Sequence, residues 1–296
     1  MRFNPVGPAC RAFDLLAAQW EVRRTHRVVG TALVVLFLLA LAVIELNRRG
    51  LLPDTVAASV PRSHFAAVAL VFTFLLVFEV ASLILALARS VAESLGKQFE
   101  LLALILMRDA FLEFGGAGEP ITWMRLEDAV PRALADMAGG LGVFILLDVY
   151  YRVQRHRAIT LHERDQRSFV SAKKIVALVL VVTFLVLAIV TLWNTIRGRE
   201  TPAFFPNFYT VLVLSDVLIL LISLRYSASF PVVFRNAGFA AATVIVRVAL
   251  SAPPYVNALL ATGAVAFALA LSLAYNRSME SVPLALPASV SSDHEH

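Results

Sequence analysis

The sequence predicts an all-α protein: a polytopic transmembrane helical bundle of six spans, with a cytoplasmic layer of amphipathic helix. Two observations predict this class. Of the 296 residues, 59% are hydrophobic and 16% are charged, whereas soluble domains carry roughly 25% charged residues. Several apolar runs also approach or exceed the roughly 18–20 residues that a membrane-spanning helix needs. A soluble protein is therefore excluded, and the lipid bilayer is the expected environment.

The basic residues predict the cellular location. Arg supplies nearly all of the 26 basic residues, and this bias, with many Ala, Val and Leu residues, favours a GC-rich bacterial genome and hence the bacterial inner membrane. The net charge of +5 does not indicate nucleic-acid binding, because the positive residues flank apolar segments, where they orient the chain. The single cysteine, Cys10, excludes an internal disulfide and a CxxC motif.

Residues 1–27 predict a cytoplasmic helix that lies in the membrane interface. Phe13, Leu16 and Trp20 share one helical face, and three arginines follow directly. This pattern is typical of an interfacial helix with a Trp at the level of the lipid headgroups. The first apolar run begins only at Val28 and ends without a small-residue cleavage site, so we do not interpret it as a cleavable signal peptide.

Four apolar runs predict unambiguous spans, and the first two of them fill residues 28–88. The four are Val28–Asn47, His64–Ala88, Lys174–Ile196 and Asn207–Tyr226. We place two more spans after them, so that residues 174–277 hold four transmembrane helices. Residues 278–296 then form a disordered cytoplasmic tail.

The last two spans are predicted as a tight helical hairpin. The apolar region from Ala237 to Tyr275 is too long for one span, and two adjacent prolines interrupt it in the segment SAPPY. Each proline removes a helical hydrogen-bond donor and clashes with the preceding turn. We therefore predict one helix at 237–252 and another at 255–275.

Residues 89–173 are predicted as a cytoplasmic or interfacial helical segment, although two parts of it, 97–114 and 134–151, leave a membrane crossing open. In the second part, the apolar core between two aspartates is much shorter than a full span. The basic loop at 152–174 is the strongest cytoplasmic marker. The excess of Lys and Arg on the cytoplasmic side is largest with six spans, persists with eight, and nearly disappears with seven. We predict six spans with both termini in the cytoplasm, and eight as the alternative.

A stripe of charged residues with alternating sign begins this segment. At about 100° per residue, one arc of a helix carries Arg89, Glu93, Lys97, Glu100 and Arg108. Opposite charges four residues apart stabilise a helix, and we expect the charged side to pack on residues 131–160. A helix without a break from Phe65 to Phe114 would measure roughly 75 Å. We therefore expect it to project into the cytoplasm or to bend, with Gly96 as the hinge.

Three ionisable residues lie inside predicted spans, where their cost makes function the default hypothesis. They are Glu79, Asp216 and Arg247. We predict that Asp216 and Arg247 form a pair across neighbouring spans, either as a structural contact or as a working ion or proton site. Glu79 has no obvious basic partner, which suits a proton or cation carrier and equally a protonated hydrogen-bonding residue.

Two functional hypotheses follow. The sequence contains no phosphate-binding loop, dinucleotide fingerprint or zinc motif, so we rank a membrane enzyme third and expect no catalytic residue, no cofactor and no metal. The leading hypothesis is an ion or proton conduit, either a channel or a secondary transporter, that works through Glu79, Asp216 and Arg247. The alternative is a membrane sensor or assembly scaffold whose residues 89–173 bind a protein partner or a second copy of the chain.

Overall fold

The structure, a computed structural model, describes most of the chain. The described residues are 6–20, 22–87, 90–116, 122–154, 163–196, 204–226 and 230–280. Arg89 of the charged stripe and residues 281–296 of the predicted tail lie outside them. Every regular element in these ranges is an α-helix: α1 Val6–Trp20, α2 Arg23–Arg48, α3 Asp54–Ala57, α4 Phe65–Leu87, α5 Val91–Gly116, α6 Trp123–Leu126, α7 Ala129–Val153, α8 Glu163–Ile196, α9 Phe204–Tyr226, α10 Phe230–Ala249 and α11 Val256–Glu280.

Six helices in the described part of the chain are long and apolar enough to cross a membrane. Their apolar segments are Arg23–Arg48, Phe65–Ala86, Ala129–Val153, Val170–Thr191, Phe230–Ala249 and Val256–Ser278. The all-helical fold is therefore confirmed, and it is compatible with an integral membrane protein. The sequence also predicts six spans, but the two sets differ in one member. The structural set contains α7 in place of α9, because the apolar part of α9 found in the described residues, Thr210–Ile219, is shorter than a span.

Helix α7 is a continuous apolar helix, although two aspartates appear to shorten it in the sequence. Asp136 is buried and faces the protein interior, so it does not interrupt the outward surface. That surface carries exposed apolar side chains along the helix, among them Leu134, Leu141 and Phe144. A contiguous apolar face of this kind is typical of contact with lipid or with another protein.

Helices α4 and α5 lie antiparallel to each other. The rings of Phe72 and Phe111 are 5.5 Å apart, and a Cβ on Gly115 would lie 2.8 Å from the Cβ of Phe65. The C-terminal end of α5 therefore lies beside the N-terminal end of α4. The predicted hinge at Gly96 is wrong, because the chain reverses between α4 and α5 and Gly96 lies inside an unbroken helix.

Helix α7 lies antiparallel to α5. Near one end of the pair, the Tyr150 hydroxyl donates a hydrogen bond to the carbonyl oxygen of Ala92 at 2.9 Å. Near the other end, Arg132 Nε lies 2.7 Å from Glu113 Oε2. Because these two contacts join opposite ends of both helices, α5 and α7 run side by side over nearly their whole length.

Helix α5 lies at the centre of the bundle and contributes to two hydrophobic cores. Leu101 and Ile105 belong to the core shared with α1, α4, α8 and α9. Phe99, Leu102 and Leu106 belong to the core shared with α7, α10 and α11. A helix that is packed on both sides needs little apolar surface toward lipid, so its charged residues can contact other helices.

The predicted hairpin at the end of the chain is present. Helix α10 ends at Ala249 and α11 begins at Val256, with the two prolines between them. Tyr255 has a φ of 72°, a left-handed conformation that costs a non-glycine residue roughly 1–2 kcal/mol. Helix α10 begins at Phe230, earlier than predicted.

The N-terminal helix α1 packs against the bundle. Phe13 is buried in the first core, and Lys174 Nζ on α8 lies 2.7 Å from Asp14 Oδ1. At the end of α1, Trp20 Nε1 donates a hydrogen bond to Ser82 Oγ at 2.8 Å. These contacts hold the segment that was predicted as an interfacial helix against α4 and α8.

Candidate functional site

The Asp216 carboxylate lies in the interior, where α9 meets α5 and α10. Asp216 is 9% exposed, and its Oδ2 accepts a hydrogen bond from Gln98 Nε2 at 2.9 Å. Thr243 and Asn236 of α10 line the same small cavity. The described partners of the carboxylate are thus Gln98 and Thr243, and the pair with Arg247 stays a prediction.

Two small cavities border this carboxylate and its amide partner. One, of about 10 Å³, is lined by Gln98, Asp216 and Thr243. The other, of about 20 Å³, is lined by Gln98, Thr243 and Arg247. A cavity volume of roughly 10–15 Å³ is needed to hold one water molecule, so each of the two cavities accommodates about one water. Asp216 and Arg247 therefore border adjoining cavities that share Gln98 and Thr243.

Glu79 lies on the other side of α5, within the charged stripe. Lys97, Glu100 and His26 are the ionisable residues that act on its half-buried side chain. Lys97 Nζ lies 2.5 Å from Glu100 Oε2, and the Tyr151 hydroxyl on α7 donates a hydrogen bond to Glu100 Oε1 at 2.6 Å. The stripe thus contacts the 131–160 segment at Glu100, as predicted, and it also faces the intramembrane carboxylate of α4.

The rest of the stripe is divided among different partners. Glu93 acts electrostatically on Lys173 of α8, whereas Arg108 Nη2 lies 2.8 Å from its neighbour Asp109 Oδ1. Lys173 was predicted in a basic cytoplasmic loop. It lies instead inside α8 and is 3% exposed, because α8 begins well before it.

Charged and polar side chains of α5 and of five other helices therefore meet around the first half of α5. We call this set the polar layer: Glu79, Glu93, Lys97, Gln98, Glu100, Tyr151, Lys173, Asp216 and Thr243. Its charged members on α4, α5 and α9 are predictable from the sequence. Gln98, Lys173, Thr243 and Tyr151 are not, and the only signal for Gln98 is a pair of polar residues, Ser94 and Gln98, four apart in an otherwise apolar face.

The polar layer ends toward the C-terminal half of α5. There the buried side chains are apolar, with Leu101, Leu102, Ile105 and Leu106 following one another. Polar residues return only at Arg108 and Asp109. The cavity of about 20 Å³ reaches this part of α5, because Leu101, Leu102 and Ile105 line it. Apart from Gln98, Thr243 and Arg247, its lining is apolar.

Comparison with known proteins gives no relative. No family model matches the chain, and no curated protein and no solved structure is significantly similar to it. Within the described residues, no group of three or more His, Cys, Asp or Glu side chains is arranged to hold a metal ion.

Proposed function

We propose that the protein is a proton conduit in which Asp216 and Glu79 are the titrating groups. The observation that carries this proposal is the Asp216 carboxylate, which is buried against the neutral Gln98 amide beside water-sized cavities. Burial of an ionisable group inside a membrane protein is costly and is typical of ion and proton pathways. Cavities of about 10 and 20 Å³ admit single waters, which supports proton transfer over passage of a hydrated ion.

Helix α5 connects the two carboxylates. Asp216 contacts Gln98 on one side of this helix, and Glu79 faces Lys97 and Glu100 on the other. Because Lys97 and Gln98 are adjacent in sequence, the two sites lie at nearly the same level of the bundle. Arg247, on the wall of the larger cavity, places a positive charge near this level.

We further propose that eight helices cross the membrane, which is the alternative that the sequence left open. Helices α5 and α7 have 26 and 25 residues, or about 38 Å each, compared with a hydrocarbon core of about 30 Å. The antiparallel packing of α5 on the apolar helix α4, and of α7 on α5, supports a paired crossing. The low apolar content of α5 fits a crossing helix that is enclosed by other helices. Both termini then remain on the cytoplasmic side.

Cysteine accessibility tests this topology. Both variants are made in a Cys10→Ser background. Met124→Cys introduces a thiol between α5 and α7, at a residue that is 88% exposed. Leu51→Cys introduces a thiol between α2 and α4, at a residue that is 66% exposed. With eight crossings, an impermeant reagent labels both from the same side of intact cells. With six crossings, the two thiols react from opposite sides, and that result would exclude our arrangement.

Proton flux into proteoliposomes tests the function. Asp216→Asn and Glu79→Gln keep the shape of each side chain but remove its titration, so each should lower flux at least tenfold, a barrier change of about 1.4 kcal/mol. Glu45→Gln is the matched control, because Glu45 is exposed and contacts Arg49 Nε at 2.8 Å. Flux should survive in this control.

The alternative function is a scaffold, and the flux measurement separates it from the conduit. If wild-type protein moves no more protons than empty liposomes under an imposed gradient, the conduit proposal is wrong. The scaffold hypothesis has one favourable observation of its own. Trp123 and Met124 are large apolar side chains that are strongly exposed within residues 89–173.

A further inference from the structure

A large apolar groove lies between α2, α4 and α8. Its volume is about 680 Å³, which is within the roughly 300–1,000 Å³ that is usual for ligand pockets. Its lining comes from residues 29–36 of α2, 74–85 of α4 and 181–185 of α8, with Trp20 at the end of α1. Phe74 and Leu185 in this lining are half exposed, so the groove is open on its outer side.

The groove offers no free polar side chain to an occupant. Every lining residue is aliphatic or aromatic. The one polar side-chain atom among them is Trp20 Nε1, which already donates a hydrogen bond to Ser82 Oγ at 2.8 Å. A polar ligand would lose its hydrogen bonds to water here without replacement. The occupant that fits is therefore apolar over the length of the groove.

The length of the groove matches one leaflet of a bilayer. Helix α4 lines it from Phe74 to Leu85, roughly 16 Å along the helix axis, and half of the hydrocarbon core is about 15 Å. Helices α2 and α4 are antiparallel, because the His26 ring lies 5.3 Å from the Phe78 ring near one end and Arg48 Nη1 lies 3.0 Å from His64 Nδ1 near the other. The groove occupies the half of this pair that contains the N-terminus of α2.

Positive charge is concentrated at the end of the groove where α2 begins. Arg23, Arg24 and Arg27 are exposed in the first turns of this helix. Arg23 precedes His26 by three residues, so the two lie on the same side of α2, and the His26 ring packs on Phe78 of the groove. The guanidinium groups are therefore close to the level at which the apolar lining ends.

Acidic residues near this end do not cancel the positive charge. Glu21 precedes the arginines in the sequence and lies outside the described residues, and Glu79 of α4 acts on His26. Asp14 of α1 lies 2.7 Å from Lys174 Nζ, which balances it. Three arginines exceed the two remaining acids, so this end of the groove has an excess of positive charge.

We propose that the groove binds one acyl chain of an anionic phospholipid, whose phosphate lies at the level of Arg23 and Arg27. Guanidinium groups form strong hydrogen bonds with phosphate oxygens, and basic residues at the ends of spanning helices favour anionic lipids. Trp20 then lies where Trp is enriched, at the boundary between acyl chains and headgroups. This inference rests on α2 crossing a membrane and does not depend on proton conduction.

Native mass spectrometry of the purified full-length protein in detergent tests the proposal. The protein is titrated with phosphatidylglycerol and, separately, with phosphatidylcholine of the same acyl chains, so that only the headgroup charge differs. We expect one phosphatidylglycerol to bind in a saturable way. Its half-saturating concentration should be about fivefold or more below that of phosphatidylcholine.

A groove-filling substitution locates the acyl chain. Leu33 lines the groove, and Leu33→Trp places a bulky ring in the space that the chain would occupy. It should raise the half-saturating concentration of phosphatidylglycerol at least tenfold. Val34→Trp is the matched control, because the adjacent Val34 is 59% exposed and does not line the groove. Binding should survive in this control.

A second pair of variants locates the phosphate, and it decides the question if Leu33→Trp does not fold. Replacing both Arg23 and Arg27 by Gln should abolish the preference for phosphatidylglycerol. Replacing both Arg48 and Arg49 by Gln removes the same charge from the other end of α2. Those two arginines contact His64 and Glu45, so this control should keep the preference.

Four results would overturn the proposal. The wild type could bind neither lipid, or both equally. Leu33→Trp could keep the wild-type affinity for phosphatidylglycerol, and the variant without Arg23 and Arg27 could keep the headgroup preference. A dimer that forms without lipid and dissociates in Leu33→Trp would assign the groove to a second copy of the chain. A loss of proton flux in Asp216→Asn bears on none of these, so failure of the conduit and failure of the lipid site are distinguishable.

Discussion

The contact between α7 and α11 can be tested by adding one methyl group at Gly139. In Gly139→Ala the new Cβ would lie 2.6 Å from the Cβ and 2.8 Å from the Cα of Ala258. Carbon atoms pack best at about 3.5–4.0 Å, so the two helices must separate by roughly 1 Å. Ala258 has no flexible side chain that could move away instead.

The size of the effect follows from two opposing contributions. Overpacking of a well-packed interior costs typically 1–3 kcal/mol, whereas replacing Gly by Ala within a helix gains about 1 kcal/mol in helix propensity. Gly263→Ala on α11 is the matched control, because a Cβ there would meet nothing within 4 Å. The propensity gain is common to both, so the variants should differ by about 1–3 kcal/mol in unfolding free energy.

Fluorescence-detected thermal unfolding in detergent measures this difference. We expect Gly139→Ala to melt roughly 2–10 °C below Gly263→Ala. If the two variants have equal melting temperatures, α7 does not approach α11 as described. The placement of α7 against α11 in the bundle would then be wrong.

Two further predictions concern contacts of α5. Gly96→Ala would place a Cβ 2.6 Å from the ring of Tyr151 and displace the Tyr151 hydroxyl from Glu100. It should therefore destabilise the protein by more than Tyr151→Phe, which removes only a hydrogen bond worth about 1 kcal/mol. Equal melting temperatures of the two variants would contradict this. Gln98→Leu should destabilise by about 1–3 kcal/mol, because it removes the amide donor of the buried Asp216 carboxylate and leaves only the Thr243 contact. In a double-mutant cycle with Asp216→Asn, strict additivity would show that the two side chains are not coupled.

The apolar helices could be predicted from the sequence because their signal is local. The spans in α2, α4 and α8 are each marked by one uninterrupted apolar run. The α10–α11 hairpin is marked by its two prolines, which act on the backbone of their own segment. No contact with a distant part of the chain was needed for any of these predictions.

Helices α5 and α7 were harder to place because their polar residues are satisfied by distant parts of the chain. Asp136 appeared to end an apolar core, but it faces Asn257 across the bundle. Gly96 appeared to be a hinge, but its missing side chain makes room for the Tyr151 ring. Neither Asn257 nor Tyr151 can be identified as a partner from spacing alone. The periodicity of the charged residues therefore predicts an amphipathic layer, whereas α5 is the central helix of the bundle.

The candidate site was predictable only in its charged members. Glu79 and Asp216 stand out because each interrupts an apolar run. Opposite charge suggests Arg247 as the partner of Asp216, whereas the partner that the structure describes at 2.9 Å is the Gln98 amide. An amide within a mostly apolar helix gives little signal in the sequence, although its hydrogen bond decides where the carboxylate lies.

The arrangement of polar groups along α5 restricts how a conduit could work. The polar layer surrounds Gln98, and the next charged residue of α5, Arg108, lies roughly 15 Å farther along the helix axis. Between them, Leu101, Leu102 and Ile105 line the cavity of about 20 Å³ that Gln98 and Arg247 also border. This cavity accommodates about one water, and one water does not span the apolar section. A conduit that follows α5 would therefore require α5 to move relative to α9 or α10, so that more water can enter around Leu102 and Ile105.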